Sequence, residues 1–334
     1  MKKYQLPENL EDWIEKYLNR NSFSLSRPHE LSKAILEVSD QFKSSSSSTP
    51  WNKPANWAAY LSYYFPLNYI RNSKILDEAK SHLPKDIDMI FDFGCGPGTF
   101  TKALLNSGDL NTNKIIGCDI EDRVGALFLD TSRSQVDLSF QKTALTNPPK
   151  NSLVIASYVL NELKDIPEWL FNYEHIIIAE PSTKQAFPTI LKLRNLFLEK
   201  SYNINAPCSH SQNCPLAESK KDWCHDRVHW EQPEWFKKIE AALPIKNKTL
   251  SYSYLIASKT HRSDNDFWRV VGDPLVEKGK TRWMLCRNNE REFLSHLKRQ
   301  GSPPEIHRGD KVQIKSFEKK SNEIRYNTED LKVF

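Results

Sequence analysis

Phe91-Asp92-Phe93-Gly94-Cys95-Gly96-Pro97-Gly98-Thr99-Phe100 is the stretch on which the reading of this chain turns. Met89 to Phe93 is a short apolar run of the kind buried in a parallel sheet. It enters three glycines at alternate positions and then a helix-like segment, Thr99 to Leu105. Glycine is needed where a chain turns sharply and lets a ligand approach its backbone. The helix start beside the turn leaves N–H groups free to meet that ligand.

The spacing separates two ligand classes. The dinucleotide fingerprint G-x-G-x-x-G requires its third glycine at position 99 when counted from Gly94 and Gly96. Thr99 stands there, and the glycine is at 98. Asp92 lies two residues before the first glycine, and Asp-x-Gly-x-Gly-x-Gly resembles motif I of class I S-adenosylmethionine (SAM)-dependent methyltransferases. A second apolar run, Lys114 to Cys118, ends in Asp119. An acid about 20 residues past the glycines suits the two ribose hydroxyls of a nucleoside. Cofactor contacts are therefore expected at Asp92, Gly94, Gly96, Gly98 and Asp119. Strand ends further on add Ser157, Tyr158 and Asn161, because ligands of open α/β sheets bind at the carboxyl ends of the strands.

The 334 residues suffice for more than one module. The net charge of +5 is unevenly spread: residues 1–190 carry 20 basic and 23 acidic side chains, residues 191–334 carry 27 and 19. A C-terminal part near +8 fits a surface facing nucleic acid, and fits a solvated lysine-rich surface equally. The N-terminal residues lack the apolar core of a secretory signal and the Arg/Ser bias of a transit peptide, and no apolar run nears ~18 residues. A cytoplasmic monomer with no membrane contact and reduced cysteines is expected.

Helices are expected at 8–20 and 29–42, then a loop at Ser44 to Pro50, an aromatic block from Trp51 to Tyr69, and a helix from Leu67 to Leu83. The aromatic block reads first as helix core and second as a base-stacking surface. Beyond Asp119 the pattern alternates as a doubly wound sheet should: helix 124–130, strand 136–142, strand 153–156, helix 161–173, strand 176–180 and helix 189–200. Asn147-Pro148-Pro149 precedes its strand and reads as a turn rather than as an amino-group methyltransferase motif. The fold expected is α/β, a doubly wound, mostly parallel Rossmann-like sheet. An N-terminal helical region (1–85) precedes the core (86–260), which carries a cysteine-rich insertion at 200–230, and a C-terminal segment (261–334) follows.

Six cysteines are present. Cys95 and Cys118 read as packing residues. Cys208, Cys214 and Cys224 fall in a polar, proline-containing stretch with too little apolar content to order itself, and Cys286 is distant. A metal centre would tie such a loop down. Zinc would take four cysteines, or three with His210, His225 or His229; an iron–sulfur cluster takes four thiolates. The gaps are not the C-x₂-C pairs of zinc ribbons, which leans toward a cluster.

Taken together, Phe91 to Gly98, Ser157-Tyr158-Val159-Leu160-Asn161-Glu162-Leu163, Glu180-Pro181, Pro207-Cys208-x-His210, Cys214-Pro215-Leu216, Trp223-Cys224-His225 and Cys286 resemble the Rsm-type methyltransferase-like family, which includes mitochondrial small-ribosomal-subunit assembly factors and bacterial relatives. The order matches over roughly residues 55–315. Ser182 replaces a frequent Gly, and Asp226 a frequent Phe. The resemblance implies a class I methyltransferase fold holding SAM, a [4Fe–4S] centre on Cys208, Cys214, Cys224 and Cys286, and an association with small-subunit rRNA. No residue presents itself as a general base, and no cysteine is placed for carbon methylation. A nitrogen or oxygen acceptor on rRNA is therefore expected. A non-catalytic rRNA-binding scaffold, or a zinc-stabilised enzyme acting on a small molecule, are the alternatives.

Overall fold

The computed structural model describes residues 3–43, 51–108, 110–131, 136–260 and 267–334. The elements follow in chain order as β1 (Tyr4–Gln5), α1 (Glu8–Asn19), α2 (Pro28–Lys43), α3 (Pro54–Ala59), α4 (Phe65–Ala79), β2 (Met89–Phe93), α5 (Thr99–Ser107), β3 (Lys114–Cys118), α6 (Asp122–Leu129), β4 (Asp137–Gln141), β5 (Ser152–Ser157), β6 (His175–Glu180), α7 (Phe187–Glu199), β7 (Asn203–Ala206), β8 (Asp226–Glu231), α8 (Glu234–Ala241) and β9 (Thr249–Ser258). Then come β10 (Trp268–Val270), β11 (Leu275–Val276), β12 (Lys280–Arg287), β13 (Glu290–Leu297), β14 (Lys311–Ile314), β15 (Phe317–Lys320), β16 (Glu323–Tyr326) and β17 (Leu331–Val333). The chain divides into two compact units, one of Met1–Lys80, Pro84–Tyr173 and Val228–Ser251, the other of Ser81–Leu83, Glu174–Arg227 and Tyr252–Phe334.

The first unit is built on four parallel strands in the order β5-β2-β3-β4. Its centre is apolar on both faces, with Ile90, Phe91, Ile115, Leu153, Val154 and Ile155 all fully buried. That is why these strands read as continuous apolar runs rather than as alternating ones. The α/β class and the parallel sheet are thus as expected. The helical region packs onto this unit through its apolar stripes: α1 buries Leu10, Trp13, Ile14, Tyr17 and Leu18. Tyr17 and Lys16 both donate to Asp130 at the end of α6, at 2.8 and 2.7 Å. Ser32 on α2 donates to the Ile239 carbonyl of α8 at 3.1 Å.

Between α3 and α4 the helix widens into a π-turn over Tyr60–Tyr64. Most of the aromatic block is helix core, as its first reading held: Phe65 is fully buried, and Trp51, Tyr63 and Tyr69 are nearly so. The serine run at 44–50 lies outside the described residues. Where a helix was expected at 161–173, the chain makes two short 3-10 turns, Leu160–Glu162 and Glu168–Asn172. Pro167, extended at φ −70° and ψ 131°, lacks the N–H a continuous helix needs and interrupts it.

In the second unit β6 pairs antiparallel with β9, from His175 opposite Ser258 to Glu180 opposite Ser253. Strand β7 also pairs with β9. The C-terminal residues form an eight-stranded sheet of their own, ordered β15-β16-β13-β12-β10-β14-β17 with β11 against β12. Alternation of Val312, Ile314 and Phe317 with Lys311, Lys315 and Lys319 reads as a strand or two over Gly309 to Phe334, where the structure has four, β14 to β17. In this sheet β12 and β13, and β15 and β16, pair as sequence neighbours, but β10 pairs with β14 and β13 with β16 across longer separations that local patterning does not reveal. Alternation inside this sheet buries Trp283, Leu285, Leu294, Val312 and Ile324 around one core, with Trp283 donating its indole N–H to the Ile306 carbonyl at 3.1 Å.

Candidate functional site

Two groups of candidate residues are assembled, one within each unit. In the first unit, β2 ends at Phe93 and the chain turns through Gly94 and Gly96, at φ +66° and +51°. A Cβ on Gly94 would lie 2.4 Å from a methyl of Val159, in the segment after β5, so only hydrogen fits. At Gly96 the surroundings are open: a Cβ there would meet nothing nearer than the Tyr60 hydroxyl at 3.9 Å and the Trp51 ring at 4.0 Å. The turn therefore presents bare backbone toward a space bounded by two aromatic side chains.

Asp119 is bonded to the same turn. Its carboxylate accepts from the Gly96 N–H at 2.9 Å and from the Glu121 N–H at 3.0 Å. Burial raises its pKa, and these backbone bonds pull it back down. Asp92 takes a different place from a ligand-facing acid. It is almost fully buried and accepts from the Thr101 hydroxyl on α5 at 2.6 Å. Burial lifts its pKa to about 7. It ties the glycine turn to α5 from beneath.

Lys102 also lies under the turn. Its ammonium donates to the Pro97 carbonyl at 2.9 Å and the Leu127 carbonyl at 2.7 Å. The Trp13 ring stands 4.5 Å away, and burial lowers the lysine pKa to about 7. Ser157 donates to Asn72 Oδ1 at 3.3 Å; Tyr158 adopts φ +61°, and Asn161 sits in the 3-10 turn that follows. The sequence reading missed Trp51, Tyr60, Asn72, Thr99 and Lys102. Only the π-turn and the helix packing bring the first two over the glycines.

This geometry offers a nucleoside-type ligand exposed backbone, a carboxylate for hydroxyl groups and buried polar atoms not fully used. Asn72 Nδ2 and Thr99 Oγ1 are both buried and make no protein hydrogen bond of ordinary geometry. Such orphaned atoms are costly unless a ligand or water meets them. The residues present thus fit SAM.

In the second unit Cys208, Cys214, Cys224 and Cys286 lie near enough to one another to interact electrostatically. Burial pushes the Cys286 thiol up to about 12, with Cys208 and Cys214 adding to it. Burial and then Cys208, Cys286 and Cys214 push Cys224 well above the usual thiol range. The loop is held by defined bonds. Arg194 on α7 donates through Nε to Cys208 Sγ at 3.4 Å and through Nη2 to the His210 and Gln212 carbonyls. Ser253 donates to the Cys224 carbonyl at 2.9 Å, and Ser209 to that of Cys286 at 3.3 Å. His210 Nε2 lies 3.6 Å from Cys286 Sγ. Burial, then Arg194, lowers its pKa to about 4.

Among the described residues, no group of three or more His, Cys, Asp or Glu side chains is arranged to hold a metal ion. The cysteine-rich loop is therefore present as a loop with gathered thiols, and a metal-binding loop is not established. Four gathered cysteine thiols are nonetheless the donor set of a cationic centre, so their chemistry fits one. Cys95 and Cys118 are buried in the first unit, as packing residues should be. Asp226, at the position where the resemblance favours Phe, forms a buried ion pair with Arg269 at 2.9 Å, and Tyr254 adds its hydroxyl to Arg269 at 2.6 Å.

No helix among the described residues is long and apolar enough to cross a membrane. No curated protein matches the chain significantly. Solved structures with some likeness include a candidate RNA methyltransferase of Pyrococcus horikoshii, at 12% identity and a TM-score of 0.37, covering 57% of this chain and 84% of that one. TrmK of M. capricolum bound to S-adenosylhomocysteine is 12% identical at a TM-score of 0.33, covering 57% and 70%. The N-methyltransferase NodS of Bradyrhizobium japonicum is 13% identical at 0.34, covering 57% and 94%. Likenesses this distant carry no argument about activity. The family profile for mitochondrial small ribosomal subunit Rsm22 matches residues 54–303. Its description is mitochondrial, which differs from the cytoplasmic expectation. With three quarters of its length matched, from the aromatic block past Cys286, the chain belongs to the Rsm22 family.

Proposed function

We propose that this protein is a SAM-dependent methyltransferase acting on small-subunit rRNA, with a nitrogen or oxygen as acceptor. The observation that carries the cofactor is the open backbone at Gly96 facing Tyr60 and Trp51, with the Asp119 carboxylate bonded to the same turn. SAM supplies an already activated methyl group, so the protein's task is alignment. Gly94, Gly96 and Gly98 would let the backbone approach the donor, Asp119 would hold its ribose, and Ser157, Tyr158 and Asn161 would border the acceptor. Asp92 would act through the turn it anchors.

The rRNA substrate rests on the small-subunit description of the family and on the basic C-terminal residues. SAM turnover on small-subunit rRNA, with Asp119→Ala as control, is the test. Product with the natural chain and none with the variant supports the enzyme. SAM and rRNA binding without product supports a non-catalytic assembly scaffold instead.

For the second unit the reading is an iron–sulfur centre on Cys208, Cys214, Cys224 and Cys286, supported by the mutual electrostatic influence of four buried or half-buried thiols. Bound there, such a centre would replace thiol repulsion by metal–thiolate attraction and fix the loop. Iron and acid-labile sulfide are measured on protein purified without air. About four of each per chain, lost in Cys286→Ser, is the expected result. A single zinc and no colour overturns the cluster.

A further inference from the structure

The Tyr60 hydroxyl belongs to none of the motifs that suggested a cofactor, and its placement is specific. A π-turn carries it, and such widened turns recur at functional sites because they redirect one side chain out of the helical repeat. The hydroxyl stands over the opening at Gly96. It also faces Thr99, the first residue of α5, and Asn68. Thr99 is 6% exposed, yet its hydroxyl makes no hydrogen bond of ordinary geometry. The N-terminus of α5, a helix of nine residues, adds free N–H groups and a partial positive charge at the same place.

Several donors gather here, beside the Asp119 and Glu162 carboxylates. Burial, with Asp119 and Glu162 nearby, keeps the Tyr60 hydroxyl protonated at any ordinary pH. A threonine hydroxyl and helix N–H groups also donate. The acceptor that such a cluster favours is anionic. The ribose end of a nucleoside ligand is already assigned to Asp119, whose carboxylate is bonded to the Gly96 N–H. What remains for the Tyr60 side is the carboxylate of the ligand's amino-acid end.

We propose that the hydroxyls of Tyr60 and Thr99, with the start of α5, form the subsite for the carboxylate of the cofactor's amino-acid moiety. This rests on the SAM reading of the glycine turn and names residues of this chain that the motifs do not. Methylthioadenosine tests it, because it keeps the adenosine and the sulfur but lacks the amino-acid end. Affinities of the full chain for S-adenosylhomocysteine and for methylthioadenosine are measured by calorimetry, for the natural chain and for Tyr60→Phe and Thr99→Val. Unliganded thermal midpoints report whether the variants fold.

The expected result is a loss of about tenfold or more for S-adenosylhomocysteine in each variant, the cost of one hydrogen bond to a charged group. Methylthioadenosine affinity should stay within about twofold. Folded variants that lose both ligands equally, or neither, overturn the proposal. A natural chain that binds neither ligand overturns the SAM reading itself, and this subsite with it.

Discussion

Lys102 offers a sharp test of how the glycine turn is supported. The perturbation is Lys102→Met, which keeps the length of the apolar stem and removes the ammonium. In the folded protein Lys102 is almost fully buried, with its pKa lowered from 10.5 to about 7, chiefly by burial. In the unfolded chain it returns to its ordinary value of about 10.4. The sign follows from proton counts. Below pH 7 both states hold the proton, and the full penalty of burying a charge is felt. Between pH 7 and the unfolded value the folded state has released the proton while the unfolded state keeps it. Stability therefore rises with pH across this window, by about 1.4 kcal/mol per unit at full effect.

From pH 7.5 to 9.0 the contribution is about 2 kcal/mol. The assay is urea unfolding, followed by far-ultraviolet circular dichroism, of the natural protein and Lys102→Met at pH 6.0, 7.5 and 9.0. Other titrating groups cancel in the difference between the two proteins. The natural protein should gain about 2 kcal/mol relative to the variant between the last two pH values, and only about 0.8 kcal/mol from pH 6.0 to 7.5. Stability curves that run parallel within about 0.5 kcal/mol across the whole range would show that the two carbonyl bonds hold the proton on Lys102, and the reasoning from burial would be refuted.

Three further outcomes follow from particular contacts. Gly94→Ala should cost at least about 1–2 kcal/mol for the left-handed backbone alone, with the clash against Val159 in addition; equilibrium unfolding reads the loss, and calorimetry should show S-adenosylhomocysteine binding reduced. Asp226→Ala should destabilise by about 3–5 kcal/mol because it strands the buried Arg269, whereas Asp226→Ala with Arg269→Met should recover part of that loss in the same unfolding assay. Trp283→Ala should cost about 3–5 kcal/mol by opening a cavity in the core of the C-terminal sheet, read as a lowered urea midpoint.

The sequence by itself determined the strand from Met89 to Phe93, the turn through Gly94, Gly96 and Gly98, and the second strand ending before Asp119. These are legible because each rests on local chemistry: a strand buried on both faces reads as continuously apolar, and left-handed turns favour glycine. The polar stretch holding Cys208, Cys214 and Cys224 was also legible, from residue type and low apolar content, whereas Cys286 stands in β12 and was drawn to them only by the family resemblance. The break at Pro167 was written in the chain as well, but the apolar pattern around it outweighed it in the helical reading of 161–173.

Tertiary structure alone decided the rest. The sheet after residue 267 joins its hairpins through pairings such as Phe293–Ser295 with Glu323–Arg325, and no short window of sequence specifies a partner that far away. Burial of Lys102 depends on Trp13 and Leu127 arriving from other helices. Tyr60, the first residue of the π-turn, meets Thr99 and the opening at Gly96 only through the packing of its helix against the glycine turn. Local propensity fixes which residues turn, extend or coil; which polar atom is left buried and waiting for a ligand depends on how distant elements close over it.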